Sequence, residues 1–184
     1  QSSNYGINGR FSYSLGWSKT VIALSGKYLW NDYNLLVNKT LTPSQIQNGE
    51  IGLEYSLRPF SALSVEGKSS LLYSHYINKK EKDTSHSGLR TYQHVLKLFL
   101  LPTEKWQIGL ENEVYHSNDK SVSFNFFTDL SMAYKTKRWE IRLLCHNLWG
   151  NNDYEKKLVS TTQETFTVYR LRPREGIIKF LIEF

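Results

Sequence analysis

Polar and apolar residues alternate one by one through most of this 184-residue chain. Successive side chains of a strand point to opposite sides, so each such run predicts a strand with one oily and one wet face. The closing stretch displays the pattern plainly. Ile178, Phe180, Ile182 and Phe184 share one parity, while Lys179 and Glu183 share the other, with Leu181 between them. Upstream, Ile51, Leu53, Tyr55 and Leu57 oppose Glu50, Glu54 and Ser56, and Leu63, Val65, Leu71 and Tyr73 oppose Ser64, Glu66 and Lys68. Trp106, Ile108, Leu110 and Val114 oppose Gln107, Glu111 and Glu113, and Trp139, Ile141 and Leu143 oppose Glu140 and Arg142. Helical spacing appears nowhere. These runs reach about ten residues, the length of a tilted membrane-crossing strand and about twice the usual globular one. No apolar run approaches the roughly 18 residues of a membrane helix. The longest candidate, Val95 to Leu101, is broken by Lys97 and ended by Pro102. Any membrane span here is therefore β.

The connections sort by length. Tight ones are expected near 14–16 and at 58–61, 102–105 and 135–138; longer, more polar ones at 31–44, 78–88, 117–120 and 150–163. Short turns alternating with long loops are the habit of bacterial outer-membrane barrels. Trp17, Trp106 and Trp139 each follow a tight turn, which predicts one height for all three, in an aromatic girdle at the periplasmic interface. Trp30, Tyr33, Tyr76 and Tyr115 are expected nearer the outer interface. About nine strands follow: 4–13, 17–31, 45–57, 62–77, 89–101, 105–117, 121–135, 138–149 and 164–184, the last distorted at Pro173. Should 164–172 and 175–184 be separate strands, the count is ten. The expected fold is all-β: one unit over residues 1–184, an antiparallel up-and-down transmembrane β-barrel segment of meandering strands. If the last strand descends to the periplasm, the first descends too. Complete single-chain barrels have even counts, so these residues are expected to be the C-terminal part of a larger barrel.

Composition bounds the function. The aromatic content, 5 Trp, 12 Tyr and 9 Phe, suits a boundary between hydrocarbon and water. It suits the core of a soluble β-sandwich as well. The net charge of +6 is scattered, and the densest cluster, 78–83, mixes signs. A nucleic-acid surface concentrates its positive charge, so no nucleic-acid partner is expected. The single Cys145 excludes an internal disulfide. Residues 1–4 carry no hydrophobic signal segment, so a leader is expected to have been removed or to lie upstream.

The stretch Leu144-Cys145-His146-Asn147-Leu148-Trp149-Gly150-Asn151-Asn152-Asp153-Tyr154 resembles the penultimate strand of TonB-dependent outer-membrane receptors. In that family an Asn-Leu-Phe motif is followed within a few residues by an aromatic. Here Trp149 stands where Phe is usual, and Tyr154 follows. Tyr169-Arg170-Leu171-Arg172-Pro173-Arg174-Glu175 before the terminal strand is similar to the same family. So is Leu101-Pro102-Thr103-Glu104-Lys105-Trp106-Gln107-Ile108-Gly109-Leu110, in the branch whose members carry carboxypeptidase-like regulatory and plug regions at the N-terminus. The resemblance implies a barrel of about twenty-two strands around a plug, in the outer membrane of a Gram-negative bacterium, driven through a TonB box. Neither plug, box nor the earlier strands lie within these residues. The implied partners are outer-membrane lipid, the barrel-insertion machinery, a TonB complex and plug reached only through the missing N-terminal part, and an unidentified nutrient. Ile178, Phe180, Ile182 and Phe184 would form the insertion signal.

Catalytic motifs are missing: there is no Gly-rich phosphate loop, paired-Cys metal spacing or nucleophile elbow. The expectation is a transporter wall for active nutrient uptake, with no enzyme activity, cofactor or metal. Glu50, Glu54, Glu66, Glu111, Glu113, Asp129 and Glu140 share the wet parity with Lys68, Lys97, Lys135 and Arg142, which reads as a charge-balanced lumen. Cys145 shares the oily parity of Ile141 and Leu143. Two rivals stand beside this reading. A complete small outer-membrane barrel enzyme would draw on His75, His116 and Asp119 at the outer rim. A soluble antiparallel β protein would serve as a binding module.

Overall fold

The computed structural model describes residues 2–16, 19–37, 39–78, 88–122, 124–149, 153–159, 164–170 and 173–182. Eleven strands run through them: β1 Ser3–Leu15, β2 Thr20–Val37, β3 Thr40–Phe60, β4 Leu63–Asn78, β5 Leu89–Thr103, β6 Trp106–Ser117, β7 Asn125–Lys135, β8 Trp139–His146, β9 Asp153–Val159, β10 Glu164–Arg170 and β11 Glu175–Ile182. The first eight form an antiparallel meander in chain order, and β11 returns beside β8. β9 and β10 pair only with each other. The nine-stranded sheet is open, with β1 and β11 as its edges.

Four expectations need correction. Residues 164–184 do not form one strand: β10 pairs with β9 and β11 with β8. The β8–β11 pairs add to one register (Glu175↔His146) and the β9–β10 pairs to another (Arg170↔Asp153), so one long hairpin is interrupted midway. The interruption starts at Asn147, whose φ of 51° ends the extended run, and Pro173 on the return side has no N–H for a ladder. β9 lies in what reads as a loop at 150–163. Residues 31–37 and 40–44 are no loop either, since β2 and β3 stay paired out to Val37↔Thr40. Asn31, Asp32 and Asn34 look like turn residues, but a backbone ladder continues beneath polar side chains wherever both partners stay extended. Finally, β7 starts at Asn125 rather than near 121, and β8 ends at His146 rather than 149.

Three of the four tight turns are centred within two residues of where they are expected; the first runs into residues 17 and 18, outside the described residues. Ser61 and Ala62 join β3 to β4, Glu104 and Lys105 join β5 to β6, and residues 136–138 join β7 to β8. Each of the first two is preceded by a bulge, between Leu57 and Phe60 and between Leu100 and Thr103. Pro59 and Pro102 sit in these bulges, where a missing donor does no harm. Successive turns are stitched together by their backbones: Leu101 N–H donates to the Ala62 carbonyl (2.7 Å) and Lys135 N–H to that of Lys105 (2.8 Å).

Directly opposed residues share a face of a sheet, so the registers carry each face across all nine strands. Ile182, Phe180 and Ile178 on β11 oppose Trp139, Ile141 and Leu143 on β8. The same face continues through Tyr134, Met132 and Leu130, then Trp106, Ile108 and Leu110, then Leu100, Leu98 and Leu96. It goes on through Leu63 and Val65, Leu57 to Ile51, Ile22 and Leu24, and ends at Tyr13 and Phe11 on β1. Among the charged residues in this ladder, only Asp32 and Arg90 lie on that face, both at the end away from the tight turns. Every other one lies on the opposite face.

Burial is inverted relative to a water-soluble domain. Among the described residues, the buried hydrophobic side chains are Ala23 and Ala133, both on the polar face, while Ile178 is 75 %, Ile7 69 % and Phe11 67 % exposed. A continuous apolar surface of nine strands far exceeds the few hundred Å² that soluble monomers leave open. This face needs a cover that the described residues do not supply.

Candidate functional site: a two-sided wall

The apolar face is banded along the strands. Near the tight turns a row of rings crosses four strands: Trp106 packs on Tyr134 (centroids 4.8 Å apart), Tyr134 on Trp139 (5.4 Å) and Trp139 on Phe180 (6.3 Å). The turn of residues 136–138 fixes this row, because Thr136 Oγ1 accepts from the Trp139 N–H at 3.1 Å. Toward the other end a second aromatic band runs through Tyr5 and Trp30 (5.4 Å), Tyr73 and His75 (6.1 Å), Tyr92 and His94 (6.4 Å), and Phe126 and Trp149 (6.3 Å). Aliphatic residues fill the space between the bands. On β6 the two bands are marked by Trp106 and His116. Ten residues of rise put the two bands about 33 Å apart along the strand. Gly67 falls inside this belt, where the Tyr55 ring lies over it and occupies the space a Cβ would need.

The few polar groups within the belt are paired. Ser69 Oγ and His94 Nδ1 are 2.6 Å apart across β4 and β5. Thr128 Oγ1 donates to Asn112 Oδ1 (2.7 Å) and accepts from Trp149 Nε1 (2.7 Å). Cys145, a free thiol, lies on this face beside Leu130.

The opposite face is a charged wall. The carboxylate of Glu54 on β3 lies between Arg10 on β1 (3.0 Å) and Lys68 on β4 (3.1 Å). Lys97 on β5 meets Glu111 on β6 (2.7 Å), and Arg142 meets Glu140 along β8 (2.5 Å). His146 Nδ1 lies 2.7 Å from Asp129, whose other oxygen accepts the Asn147 N–H at 2.8 Å. Most of these groups stand open to water, so each pair contributes well under about 1 kcal/mol. Their effect is to keep the wall wet and close to neutral along its length. A shallow groove of about 370 Å³ follows Arg10, Glu54, Glu66, Lys68 and Lys97.

The β9–β10 hairpin reaches back over the outer end of this wall. Lys157 of β9 donates to Asp119 Oδ2, in the β6–β7 connection, at 2.6 Å. The backbone N–H and hydroxyl of Ser121 donate to the other carboxylate oxygen (2.9 and 2.6 Å). These donors, the Lys157 ammonium first, hold the Asp119 carboxyl well below the usual carboxylate range. Beneath the hairpin, Glu155 and Lys157 close a pocket of about 200 Å³ against Leu72, Gln93, Tyr115 and Asn125.

Ile178, Phe180 and Ile182 stand together on the apolar face, and Phe184 lies outside the described residues. Trp106 and Trp139 share one aromatic row; Trp17 lies outside the described residues. Asn147, Leu148 and Trp149 tie the end of β8 to β7: the Leu148 N–H donates to the Thr128 carbonyl at 2.9 Å, and Trp149 reaches the Thr128 hydroxyl. Tyr154 falls in β9 opposite Tyr169. Pro173 and Arg174 lie exposed before β11, and Arg172 is outside the described residues. His75 and His116 point to the apolar side, while Asp119 is engaged by Lys157, so the rim triplet does not converge. Among the described residues, no group of three or more His, Cys, Asp or Glu side chains is placed to hold a metal ion. Sequence reasoning missed the Thr128–Asn112–Trp149 cluster, which only the β6–β7 register brings together. No family model, curated protein or solved structure matches the chain.

Proposed function

We propose that the chain forms part of the wall of an outer-membrane barrel of the TonB-dependent receptor kind, serving active import of a nutrient. One observation carries this reading: nine paired strands sort all but two of their ladder charges onto one face and leave the other face apolar, ring-banded and uncovered. Hydrocarbon covers such a surface without a protein partner, and the two bands fit its thickness. The charged face then lines an aqueous interior, where a plug or a passing solute meets it. The tied Asn147-Leu148-Trp149 stretch and the Ile178, Phe180 and Ile182 row support the receptor family, and the same row suits recognition by the insertion machinery. Two unpaired sheet edges agree with a wall wider than nine strands.

The test is reconstitution of the chain into short-chain phosphatidylcholine vesicles. Protease-resistant insertion, with faster gel migration before heating than after, is the expected result. A monodisperse, cooperatively folded chain in buffer without amphiphile would sink the proposal.

A further inference from the structure

We infer that the outer rim of β4–β6 is a binding site for the phosphate head group of a membrane lipid, with Arg90 as its anchor; the inference rests on the apolar face touching hydrocarbon. Arg90 is the one cation that the ladder places on that face, and it is exposed at the end away from the tight turns. A guanidinium beside hydrocarbon is costly unless it reaches the interface and meets an anion. Among the described residues its side chain has no ion pair, and no carboxylate lies on the apolar face of β4, β5 or β6. The other charged residue of this face, Asp32, is three strands away on β2, about 14 Å at ordinary strand spacing.

The neighbours of Arg90 are hydrogen-bonding groups. Tyr73 lies directly across on β4, with His75 diagonal to it. Tyr92 is the next residue along the same face of β5 and opposes the exposed His116 of β6. Phenol hydroxyls and imidazole N–H groups donate to phosphate oxygens, and Arg grips phosphate through two parallel N–H bonds. The frame is fixed: Asn118 Oδ1 accepts the Arg90 N–H (2.8 Å), and the Asn118 N–H donates to the Arg90 carbonyl (3.0 Å). The site opens sideways from the apolar band rather than into the polar interior, which selects a lipid over a dissolved anion.

The chain, inserted in vesicles holding equal amounts of phosphatidic acid and phosphatidylcholine, is released for native mass spectrometry. Wild type is expected to retain phosphatidic acid preferentially. Arg90→Gln should lower that preference about fivefold, the worth of one basic side chain at a membrane surface. Arg10→Gln, a cation removed from the polar face, should leave it unchanged. Equal losses in the two variants, or no preference in wild type, overturn the site while leaving insertion intact. Displacement of the retained lipid by millimolar inorganic phosphate overturns the choice of a lipid. Failure of all three proteins to insert overturns the membrane reading itself.

Discussion

Arginine placed at successive depths on β6 separates a hydrocarbon-facing sheet from every other arrangement. Leu110 lies four residues above Trp106 on the apolar face, about 13 Å along the strand and about 10 Å toward the centre of a belt about 25 Å thick. A guanidinium there costs roughly 2–4 kcal/mol. At about 1.4 kcal/mol per decade, this lowers the folding equilibrium about thirty- to several-hundred-fold. At His116, on the same face but in the outer band, the cost should fall to about 0–1 kcal/mol. Ser131 opposes Gly109 on the polar face at similar depth, and Ser131→Arg should cost less than about 1 kcal/mol. Urea titration of vesicle-inserted protein, followed by tryptophan fluorescence, measures all three. A soluble core would penalise Leu110→Arg and His116→Arg according to packing, with no dependence on depth. Equal costs for Leu110→Arg and Ser131→Arg would refute the assignment of faces.

Further outcomes follow from two particular contacts. Asp119→Asn removes the charge that holds Lys157 and should raise protease nicking within β9–β10 without changing insertion. Because the folded Asp119 carboxyl titrates below its ordinary value near 3.9, its contribution is fully present above about pH 4. It is lost only as pH falls further, so nicking of the wild type should stay constant from pH 7 to 4 and rise below that. Thr128→Val strands the Trp149 indole N–H and the Asn112 amide together. It should cost about 1–3 kcal/mol in the urea titration, and a Trp149→Phe background should remove part of that loss.

Much of the wall was legible because a period of two is written residue by residue. The parity of Glu54, Lys68, Lys97 and Glu111 puts them on one face without any knowledge of partners, and their cross-strand pairs lie on that one face. Strand ends were less legible. Pro59 and Pro102 mark bulges two residues ahead of the turns, because proline fits any position where a ladder donor is already lost. Lys156 and Lys157 disguise β9 in the sequence, and only its register with β10 reveals the strand. The Arg90 rim was not legible at all. Its members come from three strands, and only the registers of β4 with β5 and β5 with β6 place Tyr73, His75, Tyr92 and His116 on one face at the same end as Arg90.

The linear order of the sheet has a consequence in direction. β1 and β11, its two margins, both run from the loop end toward the tight turns. Joined to each other, they would make a lone parallel seam in a wall otherwise woven antiparallel. A cylinder without such a seam must insert an odd number of additional strands between them, roughly thirteen in a twenty-two-stranded one. In such a cylinder the strand beside β1 would run opposite to it, and so would the strand beside β11.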